Sequence, residues 1–162
     1  MTANSAAEVV TTLEMLGVTH VVWLPDSSLG TWEGPLAASS KLRLVRVCRE
    51  GEAWALAAGL YLGGARPVVV MQNTGFFESG DSLRNTLFDM ELPLYAIVGY
   101  RSYLLAESRD TARKFTEPVL AAWGIDHVLV NGPEQLPQFD HHYQSCRSGN
   151  RAGVTLWAEG KG

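Results

Sequence analysis

The sequence is poor in cysteine, and it has no long apolar run. Its two cysteines, Cys48 and Cys146, are too few for a disulfide framework, so we expect a reduced, cytoplasmic setting. No apolar stretch approaches the roughly 20 residues that a membrane-spanning helix needs, so we expect no membrane segment. Residues 1–5 lack the basic and apolar regions of a secretory signal, and we expect none.

Charged residues are also scarce, which limits the classes of function. They make up 19% of the 162 residues, against 46% hydrophobic residues, and the surface of a free monomer usually carries more charge. We therefore expect part of the surface to be buried against another subunit. The net charge of −4 argues against nucleic-acid binding through bulk positive charge.

Apolar runs alternate with amphipathic segments, and this predicts alternating strands and helices. The expected strands are 20–24, 42–47, 68–71, 94–98, 127–130 and 154–158. The main expected helices begin near Ser5, Glu50, Asp81, Thr111 and Pro133. The pattern is typical of an α/β fold with three layers (α/β/α) and a mostly parallel, doubly wound sheet of about six strands. Nothing divides the chain, so we expect one domain over residues 1–162.

Some local features qualify this pattern. Gly99 is expected to end the strand at 94–98, and Pro118 is expected to break or restart the helix that begins at Thr111. A capping box at residues 5–8 is expected to open the first helix.

Four polar side chains are expected at one edge of the sheet, where strands end. Asp26, Glu50, Asn73 and Arg101 each come just after a strand. Because the carboxyl ends of parallel strands meet at one edge, where open α/β sheets bind ligands, we expect these side chains to converge.

The region around Glu50 carries the strongest functional signal. An alternating strand at 42–47 leads into Arg49-Glu50 and then a helix of small residues that includes Ala57-Ala58-Gly59. A carboxyl group between a strand end and a closely packed helix is partly removed from water, which raises its pKa and lets it exchange protons near neutrality. The ordinary alternative is that an acidic residue complements the helix dipole, and Glu52 is placed to do the same.

This region resembles the pyrimidine-binding (Pyr) domain of thiamine diphosphate (ThDP) enzymes. In that family a strand ends in His-Glu and leads into an Ala-Ala-x-Gly helix and a Lys/Arg-Pro turn. An ungapped match of Ala57-Ala58-Gly59 and Arg66-Pro67 places the family glutamate on Glu50, with Arg49 in place of the histidine. Further segments carry the resemblance over about residues 6–130: Leu24-Pro25-Asp26-Ser27, Met71-Gln72-Asn73-Thr74-Gly75, Gly99-Tyr100-Arg101 and Glu117-Pro118.

The resemblance implies roles for several residues. Glu50 would hydrogen-bond N1′ of the aminopyrimidine of ThDP and promote loss of the thiazolium C2 proton. Asp26 would line the active site as a proton donor or orienting group, although an Asp in a turn ordinarily makes only local hydrogen bonds. A Gly-containing loop would pack against the cofactor, formed here by Gln72, Asn73, Thr74 and Gly75. Phe76 and Phe77, where the loop departs from the family pattern, are expected at an interface.

Arg101 is the predicted substrate ligand. The resemblance is greatest to the α subunit of two-subunit 2-oxo acid decarboxylases that act on sulfopyruvate or phosphonopyruvate, and a guanidinium group suits a sulfonate or phosphonate. An exposed loop cation is the ordinary alternative, and Arg109 and Arg113 are weaker candidates.

Two other patterns are weak. Gly80-Asp81-Ser82-Leu83 spells a GDSL-hydrolase signature, but no Asp in the sequence is followed three residues later by His. His142 and Cys146 stand four residues apart on an expected helix and could share a metal ion, but the sequence shows no other ligand pair nearby.

The family also needs a second domain, called PP, in which Gly-Asp-Gly and a downstream Asn hold Mg²⁺ and the diphosphate. Gly-Asp-Gly does not occur in this sequence. The resemblance therefore implies a separate PP-domain β subunit of similar size, in an α₂β₂ or larger heteromer.

The expected function is the Pyr-domain subunit of a ThDP-dependent decarboxylase that converts an anionic 3-substituted pyruvate to an aldehyde and CO₂. A ThDP carboligase subunit and a non-catalytic partner-binding α/β module are the alternatives.

Overall fold

The computed structural model describes residues 6–27 and 29–160, which form a single six-stranded sheet. Its strands are β1 His20–Trp23, β2 Arg43–Arg46, β3 Pro67–Gln72, β4 Tyr95–Tyr100, β5 His127–Val130 and β6 Gly153–Ala158. Every pairing is parallel, and the strand order is β2-β1-β3-β4-β6-β5. The predicted α/β fold with a doubly wound parallel sheet is confirmed.

Helices cover both faces of the sheet. One face packs against α1 Ala6–Met15, α2 Glu33–Ala38 and α7 Leu136–Ser148; the other packs against α3 Glu50–Leu62, α4 Asn73–Glu78, α5 Gly80–Arg84 and α6 Thr111–Ala122. A π-helical turn, Asn85–Asp89, continues α5. The longest of these helices has 13 residues, and no helix in the described part of the chain is long and apolar enough to cross a lipid bilayer.

The central strands read as continuous apolar runs because both of their faces are buried. Along β3, Val69 and Met71 face α3, whereas Val68 and Val70 face the opposite layer. This alternation follows from the two-residue repeat of a strand. The edge strand β2 has four residues, against six in β3 and β4, and its two arginines are exposed.

The order of the strands reverses between β1 and β3. From β1 the chain moves outward to β2 and then crosses back to β3 on the other side of β1. Ligands of open parallel sheets bind at the carboxyl ends of strands beside such a reversal. Asp26, the start of α3 and the start of α4 all lie at this edge.

Two strand and loop predictions were wrong. Gly99 lies within β4, where it pairs with Gln72 and Trp157, and does not end the strand. Its role is close packing, because a Cβ there would lie 3.1 Å from Cγ of Leu29. The predicted cofactor loop at residues 72–75 is instead the end of β3 followed by the helical residues of α4.

Two further predictions were wrong on the same layer. Helix α6 continues through Pro118, which lies on the exposed side, where solvent can replace the hydrogen bond that the missing N–H would have made. Phe76, expected at an interface, is 2% exposed and packs in the core near Trp123. The capping box predicted at residues 5–8 begins outside the described residues.

Two glycines in open space should respond oppositely to the same substitution. Gly59 lies inside α3, Gly124 follows α6 with φ of +64°, and a Cβ on either would have nothing within 4 Å. Gly59→Ala should raise the free energy of unfolding by about 0.5–1 kcal/mol because alanine has the higher helix propensity. Gly124→Ala should lower it by about 1–2 kcal/mol because the left-handed region strains an L-residue. Urea denaturation measures both, and shifts of the same sign would mean that backbone conformation does not decide the response.

Candidate functional site

Glu50 is the first residue of α3 and follows the N-cap residue Arg49. Its partly exposed side chain lies against the backbone of Gly75 in α4. A Cβ on Gly75 would overlap the Glu50 carboxyl group and would lie 2.5 Å from its Cγ. Glycine at position 75 is therefore what allows the Glu50 carboxylate to occupy this place.

Glu78, at the end of α4, holds the first turn of α3. Its Oε1 accepts hydrogen bonds from Arg49 Nε at 3.2 Å and Nη2 at 2.5 Å, and its Oε2 accepts one from the backbone N–H of Gly51 at 3.2 Å. The hydrogen bond from Arg49 holds the pKa of the Glu78 carboxyl below its usual value. We call these contacts the Glu78 clamp. Because Arg49 and Gly51 flank Glu50, the clamp positions the backbone of Glu50 beside Gly75.

A buried hydrogen bond fixes the same helices from inside. Trp54 Nε1 donates to Ser79 Oγ at 2.9 Å, and the Ser79 hydroxyl donates to the carbonyl of Phe76 at 3.1 Å. Ser82 Oγ donates to the carbonyl of Gly51 at 2.6 Å. The register of α3 against α4 and α5 is thus set both in the core and at the first turn of α3.

The two carboxylates in the first turn of α3 have different surroundings. Glu52 Oε2 accepts a hydrogen bond from the backbone N–H of Cys48 at 3.0 Å, so Glu52 caps the helix. The Glu50 carboxylate has no hydrogen-bond partner within residues 6–27 and 29–160, and the neighbouring Arg49 interacts with it through charge. Both oxygens of Glu50 are therefore available to a ligand, whereas one oxygen of Glu52 is already engaged.

Two buried oxygens lie close in sequence to Gly75. Gln72 Oε1 and Asn73 Oδ1 are buried, and neither has a hydrogen-bond partner in the described part of the chain. An unsatisfied buried acceptor costs about 1–3 kcal/mol, so a donor that reaches one would be favoured. Gln72 and Thr74 are partly exposed.

Asn73 ties two helices together. Its side chain is fully enclosed, and Nδ2 donates to Thr116 Oγ1 of α6 at 3.1 Å. Its role as a cofactor contact stays a prediction, and in this conformation the enclosed amide serves the packing of α4 on α6.

Asp26 makes local hydrogen bonds after β1. Its Oδ1 accepts from the backbone N–H of Leu29 at 2.8 Å, and its Oδ2 accepts from Trp23 Nε1 at 3.3 Å. These contacts are those of an Asp that closes a turn. Its part in an active site stays a prediction.

Arg101 is paired within its own loop. Arg101 Nε donates to Asp110 Oδ2 at 2.9 Å, and this hydrogen bond holds the pKa of the Asp110 carboxyl below its usual value. Asp110 also caps α6 by accepting from the backbone N–H of Ala112 at 3.0 Å. The structure therefore gives Arg101 a structural contact, and its role in binding substrate stays a prediction.

The contacts of Glu78 and Ser79 with α3 were not predicted from the sequence, which indicated Ser79 only as a possible cap of the helix near Asp81. Glu78 lies 29 residues from Arg49, and Ser79 lies 25 residues from Trp54. No local spacing marks such pairs, because they meet only after β3 places α4 beside α3. The one available signal was that these residues belong to the segment that departs from the family's loop.

Comparisons with known proteins find similarity to decarboxylases. No family model matches the sequence. A phosphonopyruvate decarboxylase from Streptomyces viridochromogenes is 34% identical over 96 residues, which are 59% of this chain and 24% of that protein. Sulfopyruvate decarboxylase subunit alpha from Methanococcus maripaludis is 28% identical over 88 residues, which are 54% of this chain and 53% of that protein. The chain thus matches about a quarter of the first relative and about half of the second.

The fold is also found in a solved decarboxylase. Benzoylformate decarboxylase from Polynucleobacter necessarius superposes with a TM-score of 0.77 over 96% of this chain and 30% of that chain, at 17% identity. At this identity the likeness shows the fold alone. The resemblance to the Pyr domain of ThDP enzymes is confirmed. The match of Glu50 to the family glutamate stays a prediction.

The contact between Glu50 and Gly75 predicts energetic coupling. Gly75→Ala should destabilise the chain by about 1–3 kcal/mol because the new Cβ overlaps the Glu50 side chain. Glu50→Ala removes the overlapping atoms, so the same substitution should cost at least about 0.5 kcal/mol less in the double variant. Urea denaturation of the four proteins measures the coupling, with Gly59→Ala as a glycine control. Additive effects would mean that Glu50 does not lie on Gly75.

Proposed function

We propose that this chain is the Pyr-domain subunit of a heteromeric ThDP-dependent 2-oxo acid decarboxylase. The observation that carries the proposal is the Glu50 carboxylate, which lies at the carboxyl edge of the sheet against Gly75 and has no hydrogen-bond partner among the described residues. The names of the phosphonopyruvate and sulfopyruvate decarboxylases support a substrate with an anionic group on C3 of the 2-oxo acid.

The residues near Glu50 fit the aminopyrimidine end of ThDP. A carboxyl group can hold a proton at ring atom N1′ and take it back, which is the role proposed for Glu50. The unpartnered Gln72 Oε1 is an acceptor suited to an amino group, and we propose that Thr74 and Gly75 complete this contact. When bound, ThDP supplies a nucleophilic carbon and an electron sink for the departing CO₂.

The Glu78 clamp makes Glu50 a fixed rather than a mobile group. It holds the backbone on both sides of Glu50 through Arg49 and Gly51, while Gly75 limits where the side chain can lie. A proton-transfer group that is already in position needs little reorganisation when its partner binds.

A partner is proposed for the diphosphate end. Mg²⁺ and a diphosphate need hard oxygen ligands, and the Gly-Asp-Gly motif that supplies them in the family is absent from this sequence. We propose that a PP-domain β subunit holds both, in an α₂β₂ or larger assembly. Two observations support a partner: one relative is named a subunit, and Leu62 and Phe115 are 64% and 48% exposed on the helices of the α3 face.

Co-expression with a PP-domain partner, followed by assay of CO₂ release from sulfopyruvate and phosphonopyruvate, tests the proposal. Glu50→Gln should lower turnover by about 10²–10⁴-fold, the usual loss when an acid–base group is removed, without loss of assembly. Glu52→Gln is the matched control and should change turnover far less, because Glu52 caps the helix.

The opposite behaviour of the two variants would contradict the assignment of Glu50. CO₂ release by the single chain would contradict the need for a partner. A carbon–carbon coupled product in place of an aldehyde would favour the carboligase alternative, and the absence of turnover with any 2-oxo acid would favour the non-catalytic module.

Arg101→Ala separates substrate binding from loop structure. If Arg101 binds the anionic group, its removal should raise KM for sulfopyruvate or phosphonopyruvate about tenfold or more and leave turnover of pyruvate nearly unchanged. Arg109→Ala, an exposed neighbour, is the control. Equal losses on anionic and neutral substrates would assign Arg101 to structure alone.

The same variant has an expected effect on stability. Loss of the hydrogen bond to Asp110 should lower the free energy of unfolding at pH 7 by about 1–2 kcal/mol, since Arg101 is a third exposed. Arg101 lowers the pKa of Asp110 below the usual 3.8, so this contribution is present above about pH 4 and is lost as the pH falls further. The difference between wild type and variant should therefore shrink below pH 4, as acid and urea denaturation would show.

A further inference from the structure

A second cluster of reactive side chains lies at the amino edge of the sheet, opposite Glu50. Asp126 directly precedes β5, and His142 and Cys146 lie one turn apart on α7. A carboxylate oxygen, an imidazole nitrogen and a thiol sulfur, one from each residue, all lie within 4.8 Å of one another. The fold has brought a third metal-ligating group to the pair that the sequence spacing already suggested.

The distances resemble those between ligands on one metal ion. His142 Nε2 lies 3.7 Å from Cys146 Sγ and 3.5 Å from Asp126 Oδ1. On a tetrahedral zinc ion with usual bond lengths, sulfur and nitrogen ligands are about 3.6 Å apart and nitrogen and oxygen ligands about 3.4 Å apart. The remaining pair, Cys146 sulfur and the Asp126 oxygen, lies within 4.8 Å and would need to reach about 3.6 Å on such an ion.

Outer hydrogen bonds orient the histidine. His142 Nδ1 lies 2.6 Å from Tyr95 Oη, which lies 2.8 Å from Thr155 Oγ1. When Nδ1–H donates to Tyr95, Nε2 keeps its lone pair for the side of Asp126 and Cys146, as in metal-bound histidines. In a catalytic Cys–His–Asp triad the thiol and the carboxylate contact different ring nitrogens. Here both approach Nε2.

The cluster has both room and access. A Cβ on Gly153 would lie 2.5 Å from Cys146 Sγ and 3.0 Å from His142 Cε1, so glycine keeps this space open. Cys146 is only 1% exposed, but the Asp126 side chain is 47% exposed. A cavity of about 310 Å³, bordered by Asp126 and Arg151, opens on the Asp126 side of the cluster.

We propose that Asp126, His142 and Cys146 bind one zinc-class divalent ion, with water in the fourth position. The mixed sulfur, nitrogen and oxygen ligands suit Zn²⁺ and its spectroscopic substitute Co²⁺. Arg151 donates to Asp126 Oδ2 at 2.7 Å and leaves Oδ1 for the metal. Binding forms the metal–sulfur bond and releases the thiol proton to solvent. The ion would join the loop before β5 to α7, a link independent of the Glu50 site.

Metal binding to the purified full chain tests the proposal. Equilibrium dialysis against Zn²⁺ with elemental analysis should give one ion per chain, and Co²⁺ should give a thiolate charge-transfer band. Cys146→Ser should abolish the band, and Asp126→Asn and His142→Gln should each weaken Zn²⁺ binding at least tenfold. Tyr95→Phe, which removes the hydroxyl contacts to His142 and Thr155 but no metal ligand, should weaken it about 10–100-fold.

Matched controls come from exposed residues of the same types. Cys48→Ser and His141→Gln should leave binding unchanged, since Cys48 is exposed and His141 is exposed on the same helix as His142. Zn²⁺ should also raise the melting temperature of the wild type more than that of Asp126→Asn, a half-exposed position. Circular dichroism establishes that each variant is folded.

Three results would overturn the proposal. One is failure to retain Zn²⁺, and another is a Co²⁺ band that disappears in Cys48→Ser rather than Cys146→Ser. The third is alkylation of Cys146 in the folded chain as fast as that of Cys48, without protection by Zn²⁺. That result would mark a reactive thiol instead of a metal ligand.

Discussion

The hydrogen bonds of Glu78 hold the functional edge of this chain together. A helix that begins after an edge strand has little to fix its first turn, and β2 is such a strand. Glu78 supplies the constraint from the next helix by binding the Arg49 guanidinium and the Gly51 N–H. The Glu50 carboxylate can then remain without a protein partner among the described residues, because its backbone is held by groups other than its own side chain. The backbone position of Glu50 therefore depends on the hydrogen bonds that Glu78 accepts from Arg49 and Gly51.

The fold could be read largely from the sequence because its signals are local. Apolar runs such as residues 67–71 mark strands buried on both faces, and small residues from Glu50 to Leu62 mark a helix that packs closely. The errors arose at positions where contacts between distant parts of the chain, and not the local sequence, determine the structure. Gly99 looks like a strand end but makes room for Leu29, and Phe76 looks like a surface anchor but fills the core beside Trp123.

The candidate site could be predicted only in part. Strand ends and the family resemblance identified Glu50, and the structure explains why Glu52 is a poorer candidate, since a backbone N–H already occupies it. Asp26 and Arg101 were chosen by position after a strand, which says nothing about their partners; in the structure Leu29 and Asp110 engage them. Asp126 was missed as a neighbour of His142 because the packing of α7 back along β5, not a sequence interval, brings the two residues together.

The packing of Leu29 on Gly99 sets the height of one loop above the sheet. The Leu29 side chain packs on the backbone of Gly99 in β4, and the Leu29 N–H donates to the Asp26 carboxylate. The position of Asp26 therefore depends on the middle of the sheet. The position of Glu50 depends instead on its contact with Gly75 in α4. The two sides of the edge therefore have different supports, although β1 and β2, which lead to them, pair in one sheet. A larger side chain at position 99 would meet Leu29 first and would so act on the Asp26 loop rather than on the contact between Glu50 and Gly75.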